Sequence, residues 1–138
     1  VIEFFADTSY WIALQLPEDA LHRSAVKLFE AMPDGSRLIT SELVMVEFLN
    51  HMSRAGHGVR KQAAETWTKI EKSSRVDLVP STEDLLGQAR FMFENLVDKS
   101  WSLTDCASII IMRRKKINEV LSSDHHFEQA GLRALMRS

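Results

Sequence analysis

One cysteine in 138 residues, Cys106, leaves no partner for an internal disulfide. Its neighbours Ala107 and Ile109 mark it as a small packed side chain rather than a reactive thiol, and a reducing, cytoplasmic setting fits. Long apolar runs are also missing: none approaches the roughly 20 residues that cross a bilayer, so no membrane segment is expected. The opening Val1 to Phe5 is too short for the hydrophobic region of a signal peptide and has no charged region before it, so it reads as structure. Positive charge is not in excess. The formal net charge of -2 excludes a strongly basic coat for nucleic acid, while leaving room for local patches that grip phosphates. Three prolines and five glycines are too few for a linker or a low-complexity segment. What is there, 45% hydrophobic and 26% charged residues, is the composition of a globular protein. At this length one core is expected to bury about two-thirds of the unfolded surface, and residues 1–138 read as a single domain.

Taken in order, Ile2-Glu3-Phe4-Phe5-Ala6 predicts a short strand that hands over through Asp7-Thr8-Ser9 to a helical turn or two at Tyr10–Leu14. Pro17 breaks that helix, and Glu18-Asp19 is expected to open a second, with Ala20, Leu21, Ala25, Leu28 and Phe29 at helical spacing. Pro33-Asp34-Gly35 predicts a turn before a strand at Arg37–Thr40. Ser41 then caps a helix from Glu42 to about Arg54. Gly56 and Gly58 end it, and a further helix to Ser73 completes an α-hairpin. Val76–Val79 is a third strand stopped by Pro80, and Ser81 with Asp84 predicts a helix start that runs through Leu96. An apolar helix from Ser102 to about Lys116 follows, then a strand at Glu119–Leu121 and a last one within Leu132–Leu135. Strands alternating with helices imply an α/β sandwich with a mainly parallel sheet of four to five strands flanked by helices. Ligands of such sheets bind outside the carboxyl ends of the strands, which is where Asp7 and Asp124 fall.

Four carboxylates stand out, and each has a plain structural explanation. Asp7 suits an N-cap between strand and helix. Asp105 completes a capping-box pattern with Ser102 ahead of the apolar run Cys106–Met112. Glu47 interrupts Leu43-Val44-Met45-Val46 and Phe48-Leu49. Together with Asn50, His51 and Arg54 it makes a polar stripe, open to being either a wet face or an acid turned toward a site. Asp124 suits a cap for the short segment holding His125, His126 and Phe127. Their joint order carries more than any one of them: an acid after the first strand, one inside the helix after the second, one opening the penultimate helix, and one after the strand that follows.

In that order the sequence resembles the PIN-domain family, most closely the VapC-type toxins of bacterial and archaeal toxin–antitoxin pairs. The resemblance is carried by Ala6-Asp7-Thr8-Ser9 with Trp11-Ile12-Ala13-Leu14, by Val46-Glu47-Phe48-Leu49-Asn50, by Trp101-Ser102-Leu103-Thr104-Asp105-Cys106-Ala107-Ser108, and by Ser123-Asp124-His125-His126-Phe127-Glu128-Gln129-Ala130-Gly131. It implies a Rossmann-like sandwich in which Asp7, Glu47, Asp105 and Asp124 gather to hold Mg²⁺ or Mn²⁺ and cut RNA. It also implies an antitoxin protein whose tail fills the acidic groove, and a homodimer. The family often places a hydroxyl just before its last acid, a role open to Ser122 or Ser123. The chemistry agrees with hard oxygen ligands, because hydrolysis of an anionic phosphodiester needs its charge screened and a hydroxide supplied.

Arg113-Arg114-Lys115-Lys116 ends the apolar helix, where cations suit the helix dipole, so an RNA contact is better sought at Arg54, His57, Arg60 and Lys61. His125 and His126 lack the i, i+4 spacing of a zinc pair and are expected to be solvated or locally packed, not ligands. Trp11, Trp67 and Trp101 read as core or interface. Two other classes compete. A phosphorylation-receiver domain wants an acidic pair after the first strand, which Ala6-Asp7-Thr8 does not offer. A catalytically silent PIN-like module that binds RNA or protein would have no need of the complete acid set.

Overall fold

Phe4, Phe5 and Ala6 are all buried, whichever face of the strand they point to, as a parallel sheet covered on both sides requires. They belong to β1 (Glu3–Ala6), the centre of the sheet in the computed structural model, which describes residues 1–137. The other strands are β2 (Arg37–Ser41), β3 (Val76–Val79), β4 (Glu119–Leu121) and β5 (Arg133–Ala134). Their order is β3-β2-β1-β4-β5, and every neighbouring pair is parallel. The sheet is thus the five-stranded form of the expected α/β sandwich, parallel throughout. The helices are α1 (Thr8–Gln15), α2 (His22–Ala31), α3 (Glu42–Met52), α4 (His57–Lys72), α5 (Glu83–Asn95), α6 (Leu103–Lys115) and α7 (His125–Gln129). A short 3-10 turn at Val97–Lys99 precedes α6. Among the described residues no helix is long and apolar enough to cross a membrane.

Because β1 pairs with β2 on one side and β4 on the other, the chain leaves the sheet in opposite directions at its carboxyl end, opening a crevice there. The rim of that crevice is tied down by side chains of the core. The buried Thr40 hydroxyl donates to the Ala6 carbonyl at 2.8 Å and accepts from the Trp11 indole at 3.2 Å, locking the β1–α1 junction to β2. The next residue, Ser41, accepts from the Val44 N–H at 3.1 Å and starts α3. The residues from Asp105 to Met112 are buried without a break, since α6 lies against α3, α5 and α7. A helix apolar all round is stable only when enclosed in this way. Its last turn emerges into solvent with Arg113, Arg114 and Lys115. α3 and α4 pack together as the expected hairpin, joined through Gly56, whose φ of 93° suits glycine.

Two helix starts differ from expectation. Residues 17–21 form turns and α2 begins only at His22, because Asp19 Oδ1 accepts from the Leu21 N–H at 2.9 Å and offers the backbone a turn in place of a helix. α5 is capped by Thr82, which accepts from the Leu85 N–H at 3.1 Å, while the Ser81 N–H donates to Glu42 Oε1 at 2.6 Å.

Ile109 is fully buried on α6, so Ile109→Ala should destabilise the protein by roughly 3 kcal/mol in urea unfolding. A cost below about 1 kcal/mol would contradict the enclosure of α6.

Candidate active site

The crevice is a cleft of about 820 Å³ into which Asp7, Glu47, Asp105 and Asp124 all project. Each acid arrives from a different element. Asp7 follows β1 and its backbone N–H extends the ladder to the Leu121 carbonyl at 3.2 Å. Its carboxylate does not cap α1. Instead Oδ2 accepts from the Ser122 hydroxyl at 2.8 Å, and Oδ1 is buried with no partner. Ser122 is also where β1, α1 and the end of β4 are joined: its oxygen accepts from the Asp124 N–H at 3.0 Å and from the Ser9 hydroxyl at 3.2 Å. Of the two hydroxyls open to this position, Ser122 makes the contact with Asp7, while the Ser123 N–H donates to Ser9 Oγ at 3.3 Å.

Asp105 does cap its own helix. Ser102 Oγ accepts from the Asp105 N–H at 3.0 Å, and Asp105 Oδ2 accepts from the Ser102 N–H at 3.1 Å, the reciprocal pair of a capping box. Trp101 is buried just before the box and its indole donates to Gln129 Oε1 at 3.0 Å, which braces the helix start against α7. Asp124 caps α7 by accepting from the His126 N–H at 3.0 Å. Glu47 reaches the cleft from α3, half-buried, with His51 one turn further on. Within the polar stripe, Glu47 and His51 line the cleft, whereas Asn50 and Arg54 lie outside it and are exposed.

Of the two fates expected for His126, packing rather than solvation is observed: its ring lines the cleft, with Nδ1 2.8 Å from Asp105 Oδ2 and 3.1 Å from Asp124 Oδ1. The i, i+4 rule describes two ligands on one helix, and here the ring's partners come from two different elements, so that rule carried no signal. The apolar rim formed by Phe93, Leu96 and Val97 was also not singled out from the sequence. His125, by contrast, is exposed. Cys106 is fully buried, and burial, then the neighbouring Asp105 carboxylate, push its thiol up, in keeping with a packed side chain.

No lysine or arginine lines this cleft among the described residues. The bases at the far end of α6 are engaged elsewhere: Arg114 pairs with Asp84 at 2.7 Å and Lys115 with Asp77 at 3.3 Å. Arg60, at the hairpin tip, donates to the Ser53 carbonyl at 2.7 Å. Negative charge in the cleft is therefore uncompensated by strong cations. Asp7 bears the cost: burial first, and then the charges of Asp105 and Glu47, raise its carboxyl from 3.8 to about 7, with the Ser122 hydrogen bond opposing in part. An arrangement of convergent hard oxygen donors, one of them buried and unpartnered, fits a divalent cation.

Residues 4–132 match the PIN domain family. The chain belongs to that family. It is 32% identical over 128 residues to the proteins named 23S rRNA-specific endonuclease VapC20 of Mycobacterium tuberculosis strains CDC 1551 / Oshkosh and ATCC 25618 / H37Rv, covering 92% of this chain and 93% of each relative. The crystal structure of M. tuberculosis VapC20, described as a sarcin–ricin loop cleaving toxin, superposes with a TM-score of 0.83 at 32% identity, over 94% of this chain and 95% of that one. FitAcB from Neisseria gonorrhoeae shares the fold alone, with a TM-score of 0.61 at 15% identity over 95% of both chains. The PIN assignment made from four acids in sequence order is thus established for nearly the whole chain.

The raised Asp7 carboxyl predicts a pH-dependent stability in metal-free protein. The folded state holds this proton more tightly than the unfolded one, so the stabilisation is complete below 3.8 and is lost as pH rises to about 7. The total is on the order of a few kcal/mol. Urea unfolding in EDTA at about pH 5 and about pH 8 should show wild type losing more stability across the interval than Asp7→Asn. Equal losses would show that Asp7 is not the strained acid.

Proposed function

We propose that this protein is a metal-dependent endoribonuclease, the toxin of a type II toxin–antitoxin pair. The observation that carries the reading is the convergence of Asp7, Glu47, Asp105 and Asp124 on one cleft with no lysine or arginine among its described lining residues. Resemblance to VapC20 at 32% identity gives the substrate class, and the sarcin–ricin loop of 23S rRNA is the first RNA to test.

Mg²⁺ or Mn²⁺ would be held by these four acids and, when bound, would screen the scissile phosphate and make hydroxide available near neutral pH. The chain's own part is to aim the ligands before substrate arrives. Ser122 holds Oδ2 of the Asp7 carboxylate and leaves Oδ1 without a partner, the capping box fixes Asp105 on the first turn of α6, and Asp124 is held by its own cap and by Ser122. Glu47 closes the set from α3. Mg²⁺ is usually held by only one or two direct carboxylates, so the remaining acids act through water or on a proton.

The partner that restrains this activity is a small antitoxin protein. A segment offering an arginine to the acids and apolar side chains to Phe93, Leu96 and Val97 would fill the same cleft. The protein acts in the cytoplasm as a single PIN-like domain, assembled as a homodimer.

Incubated with RNA containing the sarcin–ricin loop and Mg²⁺ or Mn²⁺, the protein should cut at defined sites. EDTA should abolish cutting, and Asp7→Asn or Asp124→Asn should slow it on the order of a hundredfold or more. Cleavage that survives both EDTA and these substitutions would overturn the proposal. Tight RNA binding with no cleavage in any metal would instead favour a catalytically silent PIN-like module.

A further inference from the structure

We infer that Phe93, together with Leu96 and Val97, forms a stacking platform for an unpaired RNA base beside the scissile phosphate, and so helps to choose where RNA is cut. This role rests on the endoribonuclease reading and adds a substrate contact to it. The cleft has two unlike parts. Asp7, Glu47, Asp105 and Asp124 supply one, and the end of α5 with the 3-10 turn after it supplies the other. Phe93 is 54% exposed and Val97 82%, while Leu96 is half-buried. Single apolar side chains in water are ordinary, but three on one short stretch that opens onto a polar site mark a surface that a ligand covers. The chemistry of the cleft favours a base as that ligand. No lysine or arginine is among the described lining residues, and the His126 ring is engaged by Asp105 and Asp124. Beyond the cation, therefore, little in the cleft neutralises phosphates, and stacking is the non-ionic contact that every base offers. Bases of single-stranded loops are splayed out and stack on aromatic rings, and each base is only one sugar away from its phosphate. A phosphate at the acids thus brings its neighbouring bases to the apolar part of the same cleft. Phe93 is the exposed ring there, since Trp101 is buried with its indole committed to Gln129.

The backbone that carries the platform is held. The Leu96 N–H donates to the Met92 carbonyl at 3.0 Å and the Lys99 N–H to the Leu96 carbonyl at 3.1 Å, which extends helical pairing past Phe93 into the turn. Ser100 then takes a left-handed φ of 54° and leads into the buried Trp101. Phe91 gives the contrast. It is 68% exposed on the same helix, yet it lines a separate hollow with Gly87, Gln88, Met92 and Ile110, none of them an acid. A phenyl ring has no hydrogen-bonding group, so the platform accepts any base face and selects unpaired over paired nucleotides rather than one base over another.

The test is cleavage kinetics of the full-length protein with Mg²⁺ or Mn²⁺ on sarcin–ricin loop RNA, or on a fragment of whichever cellular RNA it cuts instead. Phe93→Leu should raise KM on the order of tenfold with kcat changed far less, Phe93→Trp should stay near wild type, and Phe91→Leu should alter neither. Abasic nucleotides placed singly beside the mapped cut should raise the wild-type KM by a similar factor at one position, with no further rise there in Phe93→Leu. Unaltered KM in Phe93→Leu, the result expected if the rim serves only an antitoxin segment, overturns the inference and leaves the nuclease standing. Additive losses from the abasic site and the substitution do the same. Sedimentation should find wild type and Phe93→Leu in one oligomeric state; dissociation of the variant would assign the rim to a second copy of the chain and overturn the inference too. Wild type that cuts neither this RNA nor total cellular RNA in either metal would bring down the endoribonuclease reading together with it.

Discussion

The hydrogen bond from the Ser122 hydroxyl to Asp7 Oδ2 is the joint on which the cleft depends. A carboxylate buried at the end of the central strand is costly, and in an apolar setting it would turn to whatever donor it could find. Ser122 supplies that donor to one oxygen only. The same serine oxygen accepts from Ser9 and from the Asp124 backbone, so two stretches of chain, residues 7–9 and 122–124, are brought into register around one acid. The other acids are fixed by equally ordinary devices. Asp105 is held by a capping box and Asp124 by the cap it makes for α7. For Asp105 and Asp124, structural capping and a place in the cleft are therefore not rival explanations, since the cap is what holds each of these two in position.

This arrangement needs a rigid support, because like charges gathered in one cleft push apart. Two carboxylates about 5 Å apart repel by roughly 3 kcal/mol at an effective dielectric near 20. The continuous burial from Asp105 to Met112 anchors one acid deep in the core, and Thr40 clamps the strand end that carries another. No lysine or arginine is among the described lining residues, and the one basic ring between two of the acids is His126. The raised Asp7 carboxyl reflects its burial first and then the neighbouring Asp105 and Glu47 charges, and an apolar rim of Phe93, Leu96 and Val97 lies beside the acids.

Much of this was legible in the residues, for a physical reason. Short apolar runs bounded by Pro17, Pro33 and Pro80 marked strand and helix limits, and the all-round apolar run after Asp105 could only be a buried helix. Acids at strand ends then fell where a parallel sheet opens its crevice. Local hydrogen bonding was harder to read. Ser81 and Thr82 are adjacent hydroxyls, and pattern could not say which one caps α5, nor could it choose between Ser122 and Ser123 beside Asp7. Asp19 diverted its backbone into a turn that helical periodicity does not register. The place of His126 was hidden because its nearer partner, Asp105, is 21 residues away on another helix, a relation set by tertiary packing rather than by spacing along one helix.

The central claim is that the cleft of Asp7, Glu47, Asp105 and Asp124 is built around a divalent cation. Crystals grown with Mn²⁺ and measured at the manganese absorption edge test it most directly. The account predicts an anomalous peak in the cleft beside Asp7 Oδ1, the buried oxygen that the chain leaves unpartnered. A cleft without such a peak at saturating Mn²⁺, or a peak bound away from Asp7, would contradict it.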